Sequence, residues 1–157
     1  MLIISDTSVL IDIECGQLTK AMFRLPFQFA VPDTLFVEEL SGKHGHLLEM
    51  GLQSKTMSGE LVAEAINLYH QYHKISVNDM LAFTLAKHER SQLLTGDKAL
   101  REVALKFNVE VHGTIWLVKR MLENGVIAMR DACKGFDLMR ASGSRLPWDE
   151  IDRILQT

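Results

Sequence analysis

Short apolar runs alternate with longer amphipathic stretches along the chain, and few folds accommodate that rhythm. Met1–Ile4 reads as a buried strand, stopped by the polar Ser5-Asp6-Thr7-Ser8. Phe29–Val31, Lys55–Met57, Ser91–Thr95 and Val109–Val111 read as further strands. Helical spacing is predicted over Val9–Glu14, Leu18–Phe29 with a break at Pro26, and Asp33–Leu40 with Asp33 as N-cap. More helices are predicted over Gly59–Tyr72, Asn78–His88, Lys98–Phe107 and Thr114–Asn124, with Gly125 just past the last of these. A helix over about Val126–Met139 and a short one after Pro147 close the chain. Apolar strands separated by helices need cover on both faces. The expected fold is therefore α/β, a three-layer α/β/α sandwich around a central parallel sheet.

The chain has 157 residues, enough for one domain that buries its own core. With 47% apolar and 24% charged residues it is neither disordered nor collagenous nor a coiled coil. Cys15 and Cys133 match no metal or redox spacing, which suits a reducing cytoplasm. No signal peptide is expected after Met1–Ile4, and no apolar stretch is long enough to span a membrane. The net charge is −3 and there is no basic block, so the usual footprint of a nucleic-acid binder is missing.

Ligands in an open α/β sheet bind beyond the carboxyl ends of the strands, which directs attention to the acids placed there. Asp6 follows the first strand, Asp97 follows Ser91–Thr95, and Asp79 opens the helix Asn78–His88. Each also has a plain role. Asp6 and Asp97 suit N-caps, and Ser76-Val-Asn-Asp79 matches a capping box. Glu39 is different. On a regular helix it lies about 40° from Leu35, inside the apolar arc, whereas Glu38 lies on the far side. A carboxylate on a buried face is costly unless it is paired or holds a cation. Four carboxylates gathered at one sheet edge would repel one another unless a cation compensates. An all-oxygen donor set suits Mg²⁺ or Mn²⁺ rather than zinc, and such ions serve phosphodiester hydrolysis. Without the four acids the balance is 17 − 16 = +1, so the acidic pI does not exclude a polyanionic substrate.

The ordered motifs hydrophobic-Asp6-Thr7-Ser8-x-Leu10-Ile11, Glu39-Leu40, Asp79-x-x-Ala82-x-x-x-Ala86 and Leu94-Thr95-Gly96-Asp97 resemble those of the PIN domains. These are metal-dependent nucleases, many of them VapC-type toxins of toxin–antitoxin pairs. The resemblance covers residues 1 to about 112 and implies a nuclease core there, with 113–157 a helical extension of the same domain. The tail, from Gly113-Thr114 through Gly125-Val-Ile127, is similar to a PIN-like branch less securely tied to toxins. The resemblance implies that Asp6, Glu39, Asp79 and Asp97 bind Mg²⁺ or Mn²⁺ and position a water to cleave RNA. It makes Thr7, Ser8 and Thr95 the hydrogen-bond partners that orient those carboxylates. Lys98 and Arg101 become candidate contacts to substrate phosphate. An antitoxin and a homodimer are the partners it implies. The alternative function is a catalytically silent module that binds RNA or a protein.

Other side chains carry weaker signals. His44-x-His46 and His70-x-x-His73 lack a third ligand at telling spacing and read as surface histidines. Thr95-Gly96-Asp97-Lys98 lacks the spacing of a phosphate-binding loop, and Asp6-Thr-Ser8 lacks the paired aspartates of a haloacid-dehalogenase-like phosphatase. The apolar faces around Trp116 and Trp148–Leu155 read as core, or as a dimer or antitoxin contact.

Overall fold

Five strands hydrogen-bond in the order β3-β2-β1-β4-β5, and every pairing is parallel. The computed structural model describes residues 1–156. Along the chain run β1 (Leu2–Ser5), α1 (Thr7–Cys15), α2 (Thr19–Met22), β2 (Gln28–Pro32) and α3 (Asp33–Leu35). A π-turn over Phe36–Leu40 continues α3 and is followed by α4 (Leu47–Met50), β3 (Gln53–Lys55), α5 (Gly59–Gln71) and α6 (Val77–Glu89). The second half holds β4 (Gln92–Leu94), α7 (Lys98–Lys106), β5 (Val111–His112), α8 (Thr114–Glu123), α9 (Met129–Ala141) and α10 (Trp148–Leu155).

Ile3, Ile4, Phe29–Val31, Leu93 and Leu94 are buried, as a sheet covered on both faces requires. On one face α6 packs against β1, β2 and β4 and beneath α5. Every residue of α6 from Met80 to Ala86 is buried, which explains its unbroken small and apolar run. On the other face α1 packs against α2, α8 and α9. The approach of α1 and α9 depends on two glycines. A Cβ on Gly135 would come within 3.2 Å of the Gly16 carbonyl, and one on Gly16 within 3.1 Å of the Gly135 carbonyl.

The predicted elements are present, some with ends shifted by two or three residues: the strands expected at Lys55–Met57 and Val109–Val111 lie at Gln53–Lys55 and Val111–His112, and the helix expected from Val126 starts at Met129; three differences are larger. Leu18–Phe29 holds one helical turn, α2, and then strand β2, because Pro26 and the edge-to-face packing of the half-buried Phe27 on the buried Phe29 favour extension there. Asp33–Leu40 is not a regular helix. Pro32 takes the N-cap position, and Asp33 accepts a hydrogen bond from the neighbouring Thr34 N–H. The helix then widens, with the Ser41 N–H bonded to the Phe36 carbonyl five residues back. The wider turn overturns the expectation of a buried Glu39: Glu38 and Glu39 are both exposed, while Phe36 and Leu40 stay inside. Finally, the one-turn helix α4 was not expected.

The sheet has one switch point. From β1 the chain builds outward to β2 and β3, then crosses to the other side of β1 to lay down β4 and β5. The carboxyl ends of β1 and β4 therefore flank the crevice where ligands bind in such sheets.

Candidate active site

Asp6 leaves β1 at that crevice. Its N–H pairs with the Leu94 carbonyl of β4, so the ladder reaches one residue past the strand. The side chain is 2% exposed and caps α1 through a 3.1 Å bond from the Val9 N–H. Capping uses Oδ1 only. The Thr95 hydroxyl donates to Oδ2 at 2.5 Å, and the Ser8 hydroxyl lies 2.9 and 3.0 Å from the two oxygens. Burial raises the Asp6 pKa, and the Thr95, Val9 and Ser8 hydrogen bonds pull it back.

Asp97 is also a cap. Its Oδ1 accepts from the Ala99 N–H at 2.8 Å at the start of α7, and its own N–H bonds the Thr95 hydroxyl oxygen at 3.1 Å. Thr95 thus joins the two aspartates. Asp79 sits in the first turn of α6, where Ser76 is the N-cap and accepts its N–H at 3.1 Å. Glu39 reaches the crevice from the π-turn, and its Oε2 accepts from the Thr7 hydroxyl at 3.2 Å. Glu38 turns instead to Asn78 of α6, whose amide donates to it at 2.8 Å.

All four acids line one cavity of about 470 Å³. Their mutual influence is visible at Asp79, whose pKa is raised from 3.8 to about 7. Burial is the largest cause, followed by the negative charges of Asp6, Asp97 and Glu39. No lysine or arginine forms an ion pair with any of the four among the described residues. Nor, among those residues, are three His, Cys, Asp or Glu side chains gathered as a metal ion would require. The donor chemistry nevertheless fits a hard divalent cation: four carboxylates without an ion-paired lysine or arginine, with neutral hydroxyls as hydrogen-bond donors to Asp6 and Glu39. Asp6, Asp79, Asp97 and Glu39 are the residues that would hold it.

Of the predicted helpers, Thr7, Ser8 and Thr95 each donate to one of these carboxylates. Lys98 is exposed at the start of α7 and lines no part of the acidic cavity. Arg101 lines a neighbouring cavity of about 400 Å³. Sequence reasoning missed two charged residues of the acidic cavity, Asp12 and Arg145. Asp12 accepts from the Thr114 hydroxyl at 2.9 Å, and the Ser144 side chain is close by. These contacts offset the burial that raises its pKa. Asp12 has helical spacing from Ser8, one turn away on α1, which is the only signal that pointed to it.

The remaining candidates have structural partners. His44 Nδ1 and His46 Nε2 both bond the Glu14 carboxylate and hold the segment after the π-turn against α1. Trp116 stacks on His112 at 4.1 Å and on Phe27 at 6.2 Å, with Arg120 5.5 Å from its ring. Leu117, Val118, Met121 and Ile151 are buried in the core, so much of these two apolar faces is covered by the chain itself.

Fold and site together define a parallel α/β domain with an acidic cleft at its switch point. The chain belongs to the PIN-domain family, whose model matches residues 2–157. No curated protein matches it in sequence. Among solved structures it is similar to a PilT N-terminus domain protein from the hyperthermophilic archaeon Sulfolobus solfataricus P2. The identity is 14% and the TM-score 0.52, over 78% of this chain and 95% of that one. At this identity the likeness concerns the fold. No helix among the described residues is long and apolar enough to cross a membrane.

Proposed function

We infer that the protein is a metal-dependent endoribonuclease that hydrolyses RNA phosphodiester bonds with Mg²⁺ or Mn²⁺. The observation that carries this reading is that Asp6, Glu39, Asp79 and Asp97 line one cleft and that none of them is ion-paired with a lysine or arginine among the described residues. A bound divalent cation would supply Lewis acidity and a water of lowered pKa. The chain's own part is to aim the carboxylates. Thr95 and Ser8 orient Asp6 and oppose the rise that burial imposes on its pKa, and Thr7 steers the exposed Glu39 inward. In the reaction a water oxygen bonds to phosphorus, the bond to the leaving oxygen breaks, and that oxygen takes up a proton.

On this reading residues 1–112 are the nuclease core and 113–157 an extension of the same domain. A toxin of a toxin–antitoxin pair is the biological role that fits best. It carries with it an antitoxin, a homodimer and a cytoplasmic setting. The test is RNA cleavage by the purified protein with Mn²⁺ or Mg²⁺, beside EDTA and Asp6→Asn. Cleavage lost in both controls supports the reading. Absence of cleavage by folded, inhibitor-free protein overturns it in favour of a silent binding module.

A further inference from the structure

A second cavity, of about 400 Å³, adjoins the acidic one, and the two share Gly96, Arg145 and Leu146 as a common wall. Its lining differs in character. Arg101 of α7 and Arg145 of the segment after α9 supply positive charge, while Trp116, Leu146 and Pro147 supply apolar surface. Neither arginine forms an ion pair among the described residues, although Glu150 lies on the same lining. Both are exposed.

The position of Arg145 is built rather than incidental. The chain turns after α9 through Gly143, in the left-handed region at φ +86, and the Ser144 N–H bonds the Met139 carbonyl at 3.0 Å. The Ser144 side chain then comes near enough to Asp12 to lower its pKa, and Asp12 accepts from the Thr114 hydroxyl at the start of α8. Asp12 thus holds, from α1, the end of α8 that lines the second cavity, and the residue before Arg145 lies beside it. No side chain caps α8, so its first peptide N–H groups add to the positive character of that wall.

We propose that this second cavity is a subsite for one nucleotide of single-stranded RNA flanking the scissile phosphate. Arg145 and Arg101 hold the adjacent phosphate there. This rests on the ribonuclease reading above and assigns to the C-terminal extension a part in substrate binding. The strand leaves the acidic cleft over Gly96, where there is no side chain to block it. Its next phosphate meets the guanidinium groups, which match phosphate geometry. Its nucleoside lies on Leu146, Pro147 and the edge of Trp116. Glu150 opposes the phosphate and accepts from a ribose hydroxyl or a base amine. A concave site of this size takes an unstacked nucleotide, and a continuous duplex cannot enter it.

The test uses full-length protein carrying Asp79→Asn, which suppresses cleavage and allows equilibrium binding. Fluorescence anisotropy with a short labelled single-stranded RNA in Mg²⁺ is compared for this protein and for versions with Arg145→Gln, Arg101→Gln or Arg145→Lys added. Lys134→Gln, on α9 and outside both cavities, is the control. Either Arg→Gln change should weaken binding about three- to tenfold and lower the slope of log affinity against log salt by about 0.7. Arg145→Lys should keep the slope, and Lys134→Gln should change neither quantity. RNA binding that stays unchanged in folded Arg145→Gln and Arg101→Gln overturns the subsite and leaves the ribonuclease reading standing. If the Asp79→Asn protein binds no RNA and the wild type cleaves none, both fail together.

Discussion

The Thr95 hydroxyl donates to Asp6 Oδ2 at 2.5 Å across 89 residues of sequence, and the same hydroxyl oxygen accepts the Asp97 N–H at 3.1 Å. The pairing of β1 with β4 brings these residues together, with Ser5 opposite Leu94 one step earlier in each strand. Thr95 is 1% exposed, so no water can readily take over its bond. Replacing it with valine keeps the shape and leaves a buried carboxylate short of one donor. Thr95→Val should cost about 1–3 kcal/mol of stability, as for hydrogen bonds to charged groups. This bond also lowers the Asp6 pKa, so its loss should raise that pKa and move the acid limb of the cleavage profile to higher pH. A pH–rate profile of the variant checks the second effect. A limb unmoved from wild type would mean that Asp6 is not an ionising group of the reaction.

Asp79 makes stability depend on pH. Its pKa is raised from 3.8 to about 7, so between these values the folded protein holds a proton that the unfolded chain has released. The stabilisation is complete below about pH 4 and is lost as pH rises to about 7. At pH 8 the charged Asp79 destabilises the metal-free protein. Asp79→Asn should therefore raise the melting temperature at pH 8, by the equivalent of about 1–3 kcal/mol, and change it little at pH 4. Thermal melts in EDTA at several pH values check this. An equal effect at both ends would contradict the assigned cause.

Neighbouring glutamates provide an internal control. Glu39 bonds Thr7 and adds its charge to the cleft, whereas Glu38 accepts from Asn78 outside it. Glu39→Gln should reduce RNA cleavage at least about tenfold and lower the Asp79 pKa by removing one of the charges that raise it. Glu38→Gln keeps an acceptor for Asn78 and should stay close to wild type in both respects. Cleavage assays and carboxylate titration by NMR distinguish the two.

Much of this arrangement was legible in the sequence. Asp6, Asp79 and Asp97 follow strands or open helices, positions that a linear reading can place, and all three reach the crevice. Their capping and their place in the cleft turned out to be compatible. Asp6 caps through Oδ1 and meets Thr95 through Oδ2, and the Asp97 cap bonds likewise involve a single oxygen. Glu39 reached the cleft by a route that the helical wheel could not show. The wheel assumes 3.6 residues per turn, and the π-turn over Phe36–Leu40 breaks that period. Arg145 left no sequence signal, because a single arginine in a Ser-Gly-Ser-Arg-Leu-Pro segment gains its place through the turn after α9, which brings it to a cavity built from α1, α6 and α7.

The link between α1 and the C-terminal extension can be tested on its own. Thr114 is 3% exposed and donates to Asp12 at 2.9 Å. Thr114→Val should cost about 1–2 kcal/mol, since a partly buried carboxylate loses a hydrogen-bond donor. Chemical denaturation measures the loss. Faster amide exchange around the start of α8 would show that the bond holds this junction closed.

Metal-dependent cleavage requires the four carboxylates to act together as a site for one or more divalent cations. Calorimetric titration of metal-free protein with Mn²⁺ at pH 8, for the wild type and Asp6→Asn, tests this most directly. We predict saturable Mn²⁺ binding by the wild type, accompanied by proton release that grows as the pH is lowered towards 7, and its loss in the folded Asp6→Asn variant. An absence of Mn²⁺ binding by folded wild-type protein, or equal binding by Asp6→Asn, would contradict the account.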